Sequence, residues 1–260
     1  MAETGHSAPR PDFYVAAMGR SGSTMVSNWL SDPPSRIVFN EPFFLRPGNS
    51  RLLRIQLRNI GLAVSDQEWS QVDDSPEKRF ERLMGPRLAG RRWAAKEVLC
   101  QEHLAMLRTF EPPRVVVTVR NIADVALSFF EKHRLQGNLD RFSDKWVVDY
   151  CLRESAGLVD LVELLEDRRT PLHIVRYEDI VASDEARCAL SAFTGWPGGG
   201  DTSANLADFD RAFEVQRHGA SLSRSGPERK RTLGDGLDSA AASIAEQCAD
   251  YQRRFGYSGA

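Results

Sequence analysis

Cysteine is scarce and scattered. The four in 260 residues, Cys100, Cys151, Cys188 and Cys248, form neither a C-x-x-C pair nor a cluster with histidine. That spacing argues against a zinc knuckle and a disulfide framework and fits a reducing compartment. Long apolar runs are missing as well: nothing approaches the roughly 18 apolar residues of a membrane span, and the opening MAETGHSAPRPD has no apolar signal core. The expectation is a soluble, unprocessed, cytoplasmic protein with no membrane partner, in which residues 1–11 are a flexible N-terminus and 12–260 one domain. Nor is there a large excess of either charge. A formal net charge of −2 speaks against nucleic acid as a partner, so an anionic ligand must be held by local basic clusters.

What is present is alternation. Apolar runs at 13–18 (FYVAAM), 36–40 (RIVFN), 114–119 (RVVVTV) and 172–177 (LHIVRY) read as buried strands, with 91–98 (RRWAAKEV) a weaker fifth. Helical periodicity fills the gaps, as in STMVSNWL, CQEHLAMLRTF and IADVALSFFEKHRL. Strands alternating with helices imply crossover units, hence one α/β domain with a parallel sheet covered on both faces. Ser65 and Glu68 form a capping-box pattern that opens peripheral helices, and residues 144–169 read as a long amphipathic helix. GWPGGGDTSANL breaks regular structure, a polar basic loop follows at 218–236, and a final helix is expected over 237–257. No internal repeat is present.

The stretch AAMGRSGSTMVSNWL, 16–30, runs from strand through small residues into helix. Such a turn presents unpaired backbone N–H groups at the positive end of the helix, which suits a phosphate. Gly19 and Gly22 permit tight turns, Ser21, Ser23 and Thr24 carry hydroxyls, and Arg20 adds a permanent charge. The lysine of G-x-x-x-x-G-K-[ST] is absent, which argues against a nucleotide hydrolase or kinase. A second stretch, VVVTVRNIADVALSFF, puts Arg120 at a strand end and Ser128 eight residues on, along the next helix. At the C-terminal edge of a parallel sheet these two can converge on one anion.

Together these motifs resemble those of the sulfotransferases that use 3′-phosphoadenosine 5′-phosphosulfate (PAPS). GRSGST is similar to that family's 5′-phosphosulfate loop and RNIADVALSFF to its 3′-phosphate motif, with Arg120 and Ser128 on the two anion-binding positions. VRYEDI resembles a further segment whose tyrosine, here Tyr177, lies by the adenine, and RSGPERKR…YQRRFGY resembles the closing basic loop and last helix. The likeness runs from about residue 12 to 257 and is thin between 45 and 90. It implies a single-domain, P-loop-like three-layer α/β sandwich with a central parallel sheet of about five strands. It further implies PAPS as co-substrate, 3′-phosphoadenosine 5′-phosphate (PAP) as product, no metal, and a hydroxyl acceptor on a carbohydrate or small metabolite. A homodimer is left open.

The resemblance also supplies roles. Lys96 in WAAKEV matches the family lysine near the transferred group, beside Arg20. Glu41 in VFNEPFF matches the E-P glutamate of the carbohydrate-directed branch and is the expected base. Burial beside Phe43 and Phe44 would raise its pKa, Arg20 or Lys96 would lower it, and the sequence does not decide between them; a structural ion pair is the plain alternative. The aryl and steroid branch has a catalytic histidine two positions after that lysine, where this chain has Val98, so no histidine acts there. His133 is the alternative base; His6, His103, His173 and His218 have no comparable context. Arg229, Lys230 and Arg231, with Arg224, are candidates to close over the nucleotide, and Phe43, Phe44, Arg46, Trp69 and Arg134 to shape the acceptor pocket. A non-catalytic nucleotide-binding protein stays open as a rival, because a ligand site does not guarantee turnover.

Overall fold

In the computed structural model, residues 9–46, 51–73, 75–135, 143–199 and 235–257 are described. Five strands form one sheet: β1 (Phe13–Ala17), β2 (Arg36–Asn40), β3 (Arg92–Glu97), β4 (Val115–Val119) and β5 (Leu172–Arg176). Their order is β2-β3-β1-β4-β5 and every pairing is parallel. The predicted P-loop-like α/β sandwich is therefore observed, with β1 at the centre.

Period-2 alternation divides the core into two layers. Phe13 and Val15 of β1, Val38, Ala94, Val116 and Val175 face one side, packed with Met25, Val26 and Leu30 of α1 (Ser23–Leu30) and with Leu190 and Trp196. Tyr14, Ala16, Phe39, Trp93, Ala95, Val117 and Val119 face the other. That layer is thicker and takes α2 (Arg51–Asn59), α3 (Asp66–Ser70), α4 (Pro76–Leu88), α5 (Cys100–Phe110), α6 (Ile122–Leu135) and α7 (Asp144–Asp167). Helix α8 (Tyr177–Ala182) and α9 (Asp184–Thr194) follow β5, and α10 (Asp235–Gln247) and α11 (Ala249–Arg254) close the described chain. No described helix is long and apolar enough to cross a membrane.

Three boundaries differ from the sequence reading. The final helix is two, interrupted at Cys248. Tyr177, read as the end of a strand, opens α8 instead, because its ring turns into the α1 layer. Helix α2 falls where no element was expected; Leu53, Gln56 and Leu57 bury one face of it, while Arg51, Arg54 and Arg58 share another. Ser65 does form the expected capping box with Glu68.

Two internal arrangements fix the C-terminal sheet edge. His103 Nε2 donates to the Ala17 carbonyl at 3.1 Å, which leaves Nδ1 to accept from the Tyr14 hydroxyl at 2.6 Å. Burial pulls His103 down to about 4, so this relay is neutral and holds the last carbonyl of β1. After β2, Phe44 drops into an aromatic cluster, with ring centroids 4.9 Å from Phe80, 5.7 Å from Phe39 and 5.9 Å from Trp93. Phe44 thereby anchors the turn that begins at Glu41. Its truncation should cost about 3–5 kcal/mol; Phe44→Ala is expected to lower the urea unfolding midpoint accordingly, and an unchanged midpoint would show that the cluster does not hold this turn.

Candidate active site

The loop after β1 is built around close approaches that only glycine permits. Gly22 has φ 86°, and a Cβ there would lie 2.4 Å from Tyr177 Cδ2. A Cβ on Gly19 would lie 2.9 Å from both Phe129 Cζ and Tyr150 Oη. Arg20 adopts φ 69°, a conformation that L-residues hold only under constraint. The Ser21 hydroxyl is turned inward, donating to the Met18 carbonyl at 2.8 Å and meeting Thr118 Oγ1 at 3.1 Å. Gly19 N–H donates to Tyr150 Oη at 2.7 Å, and that hydroxyl donates to the Val98 carbonyl at 3.1 Å. No side chain caps the N-terminus of α1 at Gly22, so its first amides face the site, with Ser23 and Thr24 on the opening turn.

The second motif meets the first directly. Arg20 Nε donates to Ser128 Oγ at 2.9 Å. Arg120 Nη1 approaches the Arg20 carbonyl at 3.5 Å, and its guanidinium lies 4.3 Å from the Tyr177 ring centroid. Arg120 is aimed from the end of β4 by Tyr251 of α11, whose hydroxyl accepts from Arg120 N–H at 3.2 Å and donates to its carbonyl at 3.0 Å. Burial, reinforced by the neighbouring Arg120 charge, pushes the Arg20 guanidinium below its ordinary value. Arg120 Nε is buried without a hydrogen-bond partner among the described residues. Two adjacent guanidinium groups, one with a buried Nε lacking a partner among the described residues, favour an anion between them.

The third part lies one strand over. Lys96, on the α1 face of β3, is wholly buried, and its Nζ meets Glu41 Oε1 at 2.7 Å and Thr24 Oγ1 at 3.4 Å. Glu41 is held at φ 48°, its N–H bonded to the Lys96 carbonyl at 2.7 Å. The Gln56 amide clamps both backbone groups of Asn40 at 2.7 Å each, and Phe43 N–H donates to Glu97 Oε1 at 2.7 Å. Burial alone would raise the Glu41 carboxyl, but the charge and hydrogen bond of Lys96, with Lys132 and Arg20, outweigh it and hold the group below its ordinary value. Glu97 goes the other way: buried beside other carboxylates, it stays well above the usual range. The question the sequence left open is thus decided toward an ionised Glu41.

Several residues escaped the sequence reading. Tyr150 comes from a helix far along the chain that nothing local marks, Tyr251 opens the YQRRFGY segment but carried no role there, and Lys132 was passed over although it stands one helical turn after Ser128. His133 packs between Phe129, at 5.8 Å and 16°, and Trp146, at 5.4 Å and 88°. Of the expected acceptor residues, Phe44 and Trp69 are buried, Arg46 stacks on Phe43 at 4.3 Å and pairs with Glu102, and Arg134 is exposed. A cavity of about 20 Å³ between Pro42, Phe44, Trp69 and Met84 has room for about one water. His6, His218, Arg224, Arg229, Lys230 and Arg231 lie outside the described residues. Among the described residues no group of three or more His, Cys, Asp or Glu could hold a metal ion.

Two outcomes follow from this geometry. Tyr150→Phe removes the hydroxyl that serves Gly19 and Val98 and should cost about 1–3 kcal/mol, read by chemical denaturation; no loss would mean that both backbone groups find water. The Glu41 contribution to stability is complete above its ordinary value of 4.5 and is lost as pH falls through the lower folded value. Glu41→Gln should therefore flatten the acid limb of stability against pH, and an identical limb in both proteins would refute the assignment.

No protein-family model and no curated protein sequence matches the chain. Solved structures do. The chain is similar to the sulfotransferase domain of the Synechococcus PCC 7002 olefin synthase, with 17% identity and a TM-score of 0.60 over 95% of this chain and 98% of that one. It is similar to the sulfotransferase domain from the curacin biosynthetic pathway, with 18% identity and a TM-score of 0.58 over 96% and 99%. A mouse sulfotransferase complexed with PAP matches with 14% identity and a TM-score of 0.51 over 95% of this chain and 85% of the other. At these identities the likeness is one of architecture, and the chain has the sulfotransferase fold.

Proposed function

We propose that the protein is a PAPS-dependent sulfotransferase acting on a hydroxyl of a carbohydrate or small metabolite. The observation that carries this reading is the 2.9 Å contact between Arg20 and Ser128, with Arg120 against the Arg20 carbonyl and over Tyr177. It joins two anion-binding motifs at one sheet edge, as a donor with a phosphate at each end of its ribose requires. The fold supports it, as does the PAP carried by one structural neighbour. Two neighbours named for a synthase and a biosynthetic pathway lend weight to a metabolite acceptor.

In this assignment Gly19 to Thr24 cradle the 5′-phosphosulfate, Arg120 and Ser128 hold the 3′-phosphate, and Tyr177 lies against the adenine. The acceptor oxygen attacks sulfur in line, the bridging S–O bond breaks with its electron pair going to the 5′-phosphate, and Glu41 takes the acceptor proton. Arg20 and Lys96 stabilise charge on the sulfuryl and leaving oxygens. An ionised Glu41 with a lowered pKa is a weak base, so proton transfer comes late, once the forming S–O bond has made the hydroxyl acidic.

Calorimetry should show PAP binding far tighter than adenosine diphosphate or magnesium ATP, and a preference for magnesium ATP would overturn the reading. Arg120→Ala should weaken PAP by roughly 10- to 100-fold, the worth of a charged hydrogen bond. Glu41→Gln should keep PAP affinity and lose about 10²- to 10⁴-fold in turnover across an acceptor panel; near-normal turnover would remove Glu41 from the base role. Donor binding by the wild type without transfer to any acceptor would indicate a non-catalytic nucleotide-binding protein.

A further inference from the structure

Helix α6 carries Ser128 against Arg20, and one turn further along the same face stands Lys132. Helical side chains lean toward the N-terminus of their own helix, which directs Lys132 back over Ser128 and the phosphate loop. Arg20 of the loop, Glu41 at the end of β2 and Lys96 of β3 all act electrostatically on it. Four charged groups from four elements therefore share one space, three of them cationic. Glu41, the carboxylate that acts on Lys132, is already engaged, because it is bonded to Lys96 at 2.7 Å, and Glu131, the residue before Lys132, acts on Arg20. Lys132 itself is only partly exposed. Burial and the like charges of Arg20 and Lys96 pull it down to about 8, against the opposing pull of Glu41.

A half-buried ammonium among other cations is costly unless an anion joins it. Ser128 and Arg120 mark the 3′-phosphate side of the site, whereas Glu41, Lys96 and Thr24 mark the side where transfer would occur. We propose that Lys132 is a further catalytic residue, its ammonium contacting the oxygens of the sulfuryl group as that group passes from the 5′-phosphate to the acceptor beside Glu41. This rests on the sulfuryl-transfer reading above. The sulfuryl oxygens carry negative charge throughout: the new bond joins sulfur to the acceptor oxygen, the old bridging bond leaves its electrons on phosphate, and no proton passes through Lys132. Its role is a fixed positive charge, which it loses when deprotonated.

The test needs no known acceptor, because PAPS and PAP differ by the sulfuryl group alone. Wild type, Lys132→Met and Lys132→Arg would be titrated with each nucleotide between pH 6 and 10, and PAP release from PAPS in water would be timed. The expected result is that Lys132→Met keeps PAP affinity within about threefold, loses PAPS affinity by roughly tenfold or more, and slows PAP release. In the wild type, PAPS affinity should decline as the pH rises past about 8, while Lys132→Arg, which cannot lose its charge in that range, should hold it. Equal PAPS-to-PAP discrimination in wild type and Lys132→Met, or the same alkaline decline in Lys132→Arg, would overturn the role of Lys132 and leave the donor assignment standing. Failure of the wild type to bind either nucleotide would overturn the donor assignment itself.

Discussion

A lysine with no exposed surface needs a counter-charge, and in this protein that requirement organises the site. Lys96 is buried on a central strand, and Glu41 must reach it from the end of the neighbouring one. Removing Glu41 would leave the buried Lys96 charge stranded, a loss of up to about 3–5 kcal/mol, whereas Glu41 itself keeps some contact with solvent. Glu41 is accordingly over-determined: the Lys96 carbonyl takes its N–H, Gln56 holds the residue before it, and Phe44 is pinned in an aromatic cluster three residues later. The positive φ at Glu41 and Phe43 persists because all these contacts demand it.

The same logic runs through the supporting shell. Neutral buried groups aim the charged ones: the Tyr14–His103 relay fixes the last carbonyl of β1, Tyr150 ties the loop to β3, and Tyr251 aims Arg120. Each of these tyrosines is held well above its ordinary pKa, mainly by burial, and so remains a hydrogen-bonding group rather than a charge. The site thus combines fixed donors with an excess of cations and the ionised carboxylate of Glu41. That composition suits an anionic group in transit, since its charge can be stabilised without the surroundings reorganising.

Much of the fold was legible locally. Runs such as VVVTV are strand-forming in any context, and their alternation with helical periods left few topologies besides a parallel sheet. The loop was legible because glycines and hydroxyl residues between a strand and a helix have few other uses. The break at Cys248 was not, since nothing local distinguishes a continued helix from two packed end to end. Helix α2 was missed because its composition is polar; its burial comes from Leu53 and Leu57 in the core and from Gln56 clamping Asn40 of β2.

The sequence by itself determined the residue types and their order: which strands would be buried, which turn would lack a Cβ, and that no histidine follows Lys96 by two. Those are nearest-neighbour properties, set by sterics and by apolar periodicity. Tertiary structure alone decided the ionisation of Glu41, the burial of Lys96, the pairing of Arg20 with Ser128 and the bringing of Lys132 within electrostatic reach of Arg20, Glu41 and Lys96. Each depends on desolvation and on charges brought in from other elements, and Coulomb terms in a partly buried site change by several kcal/mol over a few ångströms. No reading along the chain can supply those distances, because they exist only once the two layers have closed on the sheet.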